Sequence, residues 1–166
     1  MKIRNTLDRL LESTLVLLMS ALVLDVLWQV VSRYLLSSPS SFTDELAGYL
    51  LIWVGVLGAA YVAGKQEHLA IDILLQRSSP RRQRILRILI HSFIFLFAAS
   101  TMVLGGIVLV YSRFALDVRS AALQLPLGYV YMILPLSGLL ILYYETVHLL
   151  EIRNEMRSTT DTETPA

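Results

Sequence analysis

The chain has no cysteine, and only 16% of its 166 residues are charged. Without cysteine there is no disulfide, no thiolate metal site and no cysteine nucleophile. A soluble domain is usually about a quarter charged, so the scarcity of charge points to lipid rather than water as the surrounding medium. The net charge of +1 gives no case for nucleic-acid binding or for a strongly acidic partner. Three histidines, at positions 68, 91 and 148, are scattered and show no metal-ligand spacing. No phosphate-binding glycine loop, paired-acid motif or serine-hydrolase elbow is present. An enzyme is therefore not expected, nor a cofactor or metal held by this chain.

What is present is apolar. Hydrophobic types make up 55% of the residues, and mean hydropathy is +0.63. The apolar residues gather in four segments. The first, 15–36, is interrupted by Asp25, Gln29 and Arg33. The second, 46–63, has no charge, the third, 88–111, carries only His91, and the fourth, 123–144, is uncharged. Each approximates the roughly 17–25 residues that an α-helix needs to cross a hydrocarbon core. Backbone groups in lipid must be satisfied within their own segment, so helices follow rather than open strands. The expected fold is an all-α integral membrane protein of four transmembrane helices, at about 13–36, 46–63, 86–111 and 123–147. Residues 1–157 form that domain, followed by a disordered tail over 158–166.

Lys2, Arg4 and Arg9 resemble the charged start of a signal peptide. The apolar stretch behind them is too long and no small-x-small cleavage site follows, so a retained helix is expected. Orientation follows the lysines and arginines. Three lie in the N-terminal tail, six in the second loop (Lys65, Arg77, Arg81, Arg82, Arg84, Arg87) and two in the C-terminal tail (Arg153, Arg157). The opposite side holds Arg33, Arg113 and Arg119. Both termini are thus expected in the cytoplasm. The run Arg77, Arg81, Arg82, Arg84 and Arg87 is expected to touch anionic lipid headgroups. The apolar residues from Leu69 to Leu75 make a short amphipathic helix in loop two an expectation as well.

Local signals refine the spans. Ser79-Pro80 reads as an N-cap with proline in the first turn, and Pro126 plays a similar part for the fourth span. Pro135 lies inside that span and should kink it. Tyr129 and Tyr131, with Tyr143 and Tyr144 at the other end, fit interfacial aromatic belts. Ser41 or Thr43 can cap the second helix, with Asp44 and Glu45 in its first turn. Gly55, Ala59 and Ala63, spaced by four, let another helix approach closely; packing among the four helices is the plainer reading of that face.

Asp25 is the sharpest anomaly, a carboxylate in mid-span. Trp28, Gln29, Ser32 and Arg33 follow it on one helical face. A polar seam against another helix or subunit is favoured over a proton or ion relay, because no other span is read as holding an acid. A third reading is a carboxylic acid kept protonated by its apolar surroundings. His68 and Asp72, four apart, suit a hydrogen-bonded pair on the cytoplasmic side. His91 reads as an interfacial residue, and Glu145, His148, Glu151 and Glu155 as a cytoplasmic extension of the last helix.

Taken in order, these features resemble one family. Arg33 closes the first helix, and Ser41-Phe42-Thr43-Asp44-Glu45-Leu46 precedes a helix with Gly58-Ala59-Ala60 near its end. His68-x-x-x-Asp72 follows, then a proline-marked third helix, then Pro126-x-x-Tyr129-x-Tyr131 and Pro135. This resembles the small, DctQ-like membrane subunit of tripartite ATP-independent periplasmic (TRAP) transporters over about residues 5–150. Phe42 stands where the family often has tryptophan. The resemblance implies a scaffold packed against a large membrane subunit, which holds the substrate and sodium sites of a symporter. A periplasmic binding protein would capture an organic acid anion, a dicarboxylate or sialic acid. The location implied is the bacterial cell inner membrane. Asp25, Trp28, Gln29, Ser32, Arg33, Gly55, Ala59 and Ala63 become subunit-interface candidates, and Asp44, Glu45, Asp117 and Arg119 candidates for docking the binding protein. The alternative is a small homodimeric exporter with Asp25 as its proton-coupled site. Such exporters lack a basic connection as long as residues 64–87. A structural or assembly factor with no transport role is a third class.

Overall fold

The structure, a computed structural model, describes residues 2–36, 40–65 and 80–162. Its elements are α1 (Lys2–Tyr34), α2 (Ser41–Lys65), α3 (Pro80–Phe97), a π-helical stretch (Ala98–Gly105), α4 (Gly106–Ala115), α5 (Leu127–Tyr131) and α6 (Ile133–Thr162). Among the described residues there is no strand, only an isolated bridge between Arg119 and Pro126. Among the described residues, four helical segments are long and apolar enough to cross a membrane: Arg4–Tyr34, Ser41–Lys65, Ile85–Ala115 and Leu127–Arg153. The architecture is the expected one, with each span longer than expected. The helix of the fourth span runs through Thr162, past Ser158 where a disordered tail was expected to begin.

Lipid tails are as apolar as leucine, so helices in a bilayer associate by close packing and interhelical hydrogen bonds. Both are concentrated around α2 and α6. Ser137 donates to the Val56 carbonyl at 2.7 Å, and the Trp53 indole to the Val130 carbonyl at 3.0 Å. The buried face of α6 follows a helical period through Ile133, Ser137, Ile141, Tyr144, His148 and Ile152. Gly64 of α2 is needed at this crossing, since a Cβ there would lie 2.8 Å from the Tyr144 ring. Tyr144 is thus buried, not part of an interfacial belt; Tyr129, at 60% exposure, suits that expectation better.

The third and fourth spans cross where both depart from regular helix. Pro135 has no N–H to offer and crowds the carbonyl four residues earlier, and the fourth span breaks at Met132, between α5 and α6. Opposite it runs the π-helical stretch, in which Ser100 donates to the Leu96 carbonyl at 2.8 Å, a side-chain bond that competes with helical pairing. A Cβ on Gly106 would lie 2.9 Å from Pro135 Cδ. The broken turn is therefore seated against bare backbone.

At the start of α2 the expected caps are not formed. Ser41 and Thr43 both lie within the helix, and the buried Thr43 hydroxyl donates back to the Ser40 carbonyl at 2.7 Å. Pro80 does open α3, whereas Pro126 sits at the N-cap of α5 with an extended ψ of 120°. His68, Asp72, Arg77 and the suggested loop-two helix lie outside the described residues.

Candidate functional site

Three groups of polar residues stand out, and the structure redistributes the expected ones among them. The first runs along α1. Positions 4, 8, 11, 15, 18, 22, 25, 29 and 32 are buried or half-buried, alternating by four and three. That 3.5-residue spacing makes a continuous seam, and α2 is the helix that lies along it. Asp25, Gln29 and Ser32 are the seam's last polar positions, while Trp28 is 52% exposed and Arg33 points outward. Gln29 donates to the Asp44 carboxylate of α2, and the Ser32 hydroxyl turns back to the Gln29 carbonyl at 2.9 Å. One oxygen of Asp25 is buried with no hydrogen-bond partner among the described groups. The expected single stripe is therefore two: Asp25, Gln29 and Ser32 toward α2, and Trp28 and Arg33 away from it. The spacing signal was available in the sequence, because these polar residues continue the beat of Leu11, Leu15, Leu18 and Leu22.

The small-residue face of α2 divides in the same way. Ala63 is buried with Ala60 against Ala98 and Ile141. Gly55 would have nothing within 4 Å of an added Cβ, and Ala59 is exposed. Packing among this chain's own helices explains Ala63 and leaves Gly55 and Ala59 open.

The second group joins α2 to the connection between α4 and α5. Both Glu45 oxygens accept backbone N–H groups, from Ala122 at 3.0 Å and Leu123 at 3.1 Å. This carboxylate clamps a segment flanked by left-handed residues, Asp117 (φ 44°) and Gln124 (φ 54°). Asp117 and Arg119 pair at 3.1 Å on the surface of the same connection. Of the four docking candidates, Asp44 and Glu45 are engaged inside the chain, and Asp117 and Arg119 remain exposed, at 73% and 52% of their side chains.

The third group was missed by the sequence reading. His91 of α3 and Glu145 of α6 meet at 2.6 Å, with the Glu145 side chain fully buried. His148, also fully buried, lies 3.3 Å from the Ala63 carbonyl and has its ring 5.5 Å from that of His91. His91 thus faces α6 inside the bundle, and Glu145 and His148 are buried side chains of α6. Both belong to the helical segment Leu127–Arg153, which is long and apolar enough to cross a membrane. The available signal was their place on one face with Ser137, Ile141 and Ile152.

None of these groups is built for catalysis. Among the described residues no set of three histidine or acidic side chains could hold a metal ion. A cleft of about 290 Å³ between α1, α2 and α5 is walled by Leu18, Leu50, Trp53 and Tyr129 among others, and offers an anion no charged partner.

Comparison with known proteins agrees with this arrangement. Residues 22–154 match the family described as tripartite ATP-independent periplasmic transporters, DctQ component. A TRAP transporter small permease protein of Haemophilus influenzae is 26% identical over 137 residues, which is 81% of this chain and 82% of that protein. Two longer relatives also match. The sialic acid TRAP transporter permease protein SiaT of Haemophilus influenzae is 36% identical over 74 residues, 45% of this chain and 12% of that protein. The isethionate TRAP transporter permease protein DctMQ of Oleidesulfovibrio alaskensis is 27% identical over 125 residues, 72% of this chain and 20% of that protein. The chain belongs to the DctQ family, the small permease components of TRAP transporters, and is a transporter component rather than an enzyme.

Proposed function

We propose that this small permease is the bilayer scaffold of a large TRAP membrane subunit, in a sodium-coupled importer of an organic acid anion. The supporting observation is the unequal burial of its spans. The most apolar stretch of α1 has none of its residues buried inside the chain, against 39% for the fourth span. In SiaT and DctMQ a segment like this chain occupies a small part of a much longer permease polypeptide, which supports pairing here with a separate large subunit. The open interface candidates, Trp28, Arg33, Gly55 and Ala59, are the residues for that contact, while Asp25, Gln29, Ser32 and Ala63 hold α1, α2 and α6 together.

The substrate and sodium sites belong on this reading to the large subunit, since the cleft described above suits no carboxylate. The substrate is of the sialic acid or dicarboxylate type. The lysine and arginine distribution supports an orientation with both termini on the cytoplasmic side of the inner membrane, and the connection from Leu116 to Pro126 on the periplasmic side. There the exposed Asp117 and Arg119 are placed to meet a secreted binding protein, with Glu45 holding their connection in shape. A homodimeric exporter would need Asp25 open to a polar cavity, whereas it lies on the seam with α2. Co-expression with the large permease tests the proposal: the two should purify as one complex. A large subunit that is stable and active in uptake without this chain would overturn it.

A further inference from the structure

Arg113 sits in the last turn of α4, two residues before the end of the third span. A cation suits a helix C-terminus, yet this one is not needed there as a cap. The carbonyls of Ser112, Arg113 and Phe114 accept the backbone N–H groups of Leu116, Val118 and Asp117, at 3.0, 3.1 and 3.1 Å. Nor does a carboxylate among the described residues pair with it. Asp117 is four positions on, but its backbone turns left-handed (φ 44°) and its carboxylate pairs with Arg119 at 3.1 Å. Glu45 is engaged by Ala122 and Leu123, and Asp44 by Gln29. What the guanidinium meets is the Tyr131 ring, with Cζ 5.7 Å from its centroid. Arg113 is half-buried, and its Nε is buried with no hydrogen-bond partner among the described groups.

A guanidinium is always charged and carries its N–H donors in one rigid plane. At the end of a membrane span, such a group without acceptors is costly. We propose that Arg113, backed by the Tyr131 ring, binds a phosphate group, and that a phospholipid of the adjoining leaflet carries it. The ring supplies a cation–π attraction on one side. With Nε closed off, the terminal nitrogens are the donors that an incoming anion reaches, and a phosphate offers them a pair of oxygens. The exposed side chains before and after Arg113 are apolar or aromatic: Val108 at 67%, Tyr111 at 74% and Leu116 at 72%. An anion that arrives together with hydrocarbon satisfies both surfaces, which a phospholipid does and a free phosphate ion does not. The depth is also that of a headgroup, since exposed Tyr111 and Tyr129 fit an interfacial aromatic belt at this end of the bundle. The site lies at the opposite end of the third span from the basic residues Arg82, Arg84 and Arg87.

The test is native mass spectrometry of the full-length chain released from detergent micelles and titrated with dioleoylphosphatidylglycerol. Arg113→Gln keeps a polar side chain without the charge, and should lower the affinity for one bound lipid by about tenfold. Arg113→Lys keeps the charge without the planar fork and should fall between the two. Arg119→Gln loses a guanidinium already paired with Asp117 and should bind lipid as the unsubstituted chain does. The same lipid should raise the unfolding temperature of the unsubstituted chain more than that of Arg113→Gln. Inorganic phosphate at the same concentration should raise neither. Equal lipid affinity in the unsubstituted chain, Arg113→Lys and Arg113→Gln would overturn the site. Equal stabilisation by inorganic phosphate would overturn the phospholipid as the source of the anion. Unchanged lipid affinity in Arg113→Gln, with loss of the large subunit on co-purification, would overturn the proposal and place a partner carboxylate there instead.

Discussion

The Tyr144 hydroxyl donates to the Asp8 carboxylate at 2.6 Å, joining residues 136 positions apart in the chain. The same ring lies close enough to α2 to crowd any side chain at Gly64, within 2.8 Å of a Cβ there. One buried tyrosine therefore sets the spacing of α1, α2 and α6 at one end of the bundle. Tyr144→Phe keeps the ring and removes only the hydrogen bond. It should destabilise the chain by roughly 0.5–1.5 kcal/mol, read as a lowered unfolding temperature in detergent or nanodiscs. No change would mean that the bond is matched by water in the unfolded reference.

Two glycines of α2 provide a matched comparison. Replacing glycine by alanine inside a helix gains up to about 1 kcal/mol from propensity alone. At Gly55 the new methyl meets nothing within 4 Å, so Gly55→Ala should raise stability slightly. At Gly64 it meets the Tyr144 ring at 2.8 Å, and overpacking of this kind costs about 1–3 kcal/mol. Gly64→Ala should therefore destabilise, with Tyr144→Phe adding less in that background than in the unsubstituted chain. Thermal unfolding of the four variants checks both signs.

Glu45 accepts from two backbone N–H groups, and glutamine in its place offers only one oxygen. Glu45→Gln should make the Ala122 and Leu123 amides exchange faster with solvent deuterium, while the amides of α6 near Ser137 stay protected. Unchanged exchange at positions 122 and 123 would show that the bridge between Arg119 and Pro126 holds the connection without Glu45.

The four spans could be read from the sequence because lipid demands long uninterrupted apolar runs, and nothing else in a chain this short produces them. The break near Pro135 was readable for a similarly local reason, the missing N–H. The polar contacts were less accessible. Asp25 could be seen as anomalous, but a stripe on one helix does not say which neighbour it faces; only the seam with α2 does. His91 and Glu145 are 54 positions apart, and each looked like the end of its own helix. Their meeting depends on how the third and fourth spans cross, which is set by Gly106, Pro135 and the π-helical stretch. Gly55 and Ala63 belong to one sequence pattern, yet one faces outward and the other inward, because each step of four residues turns further around the helix.

The absence of cysteine makes the central claim directly measurable. Single cysteines at Trp28 and Gly55, both open in the structure, can be paired with cysteines scanned along the large subunit in the membrane, with exposed Phe93 and Leu104 of the third span as comparison positions. The scaffold account predicts oxidative cross-links to the large subunit from Trp28→Cys and Gly55→Cys. Cross-links confined to the third span, or formed only between copies of this chain, would contradict it.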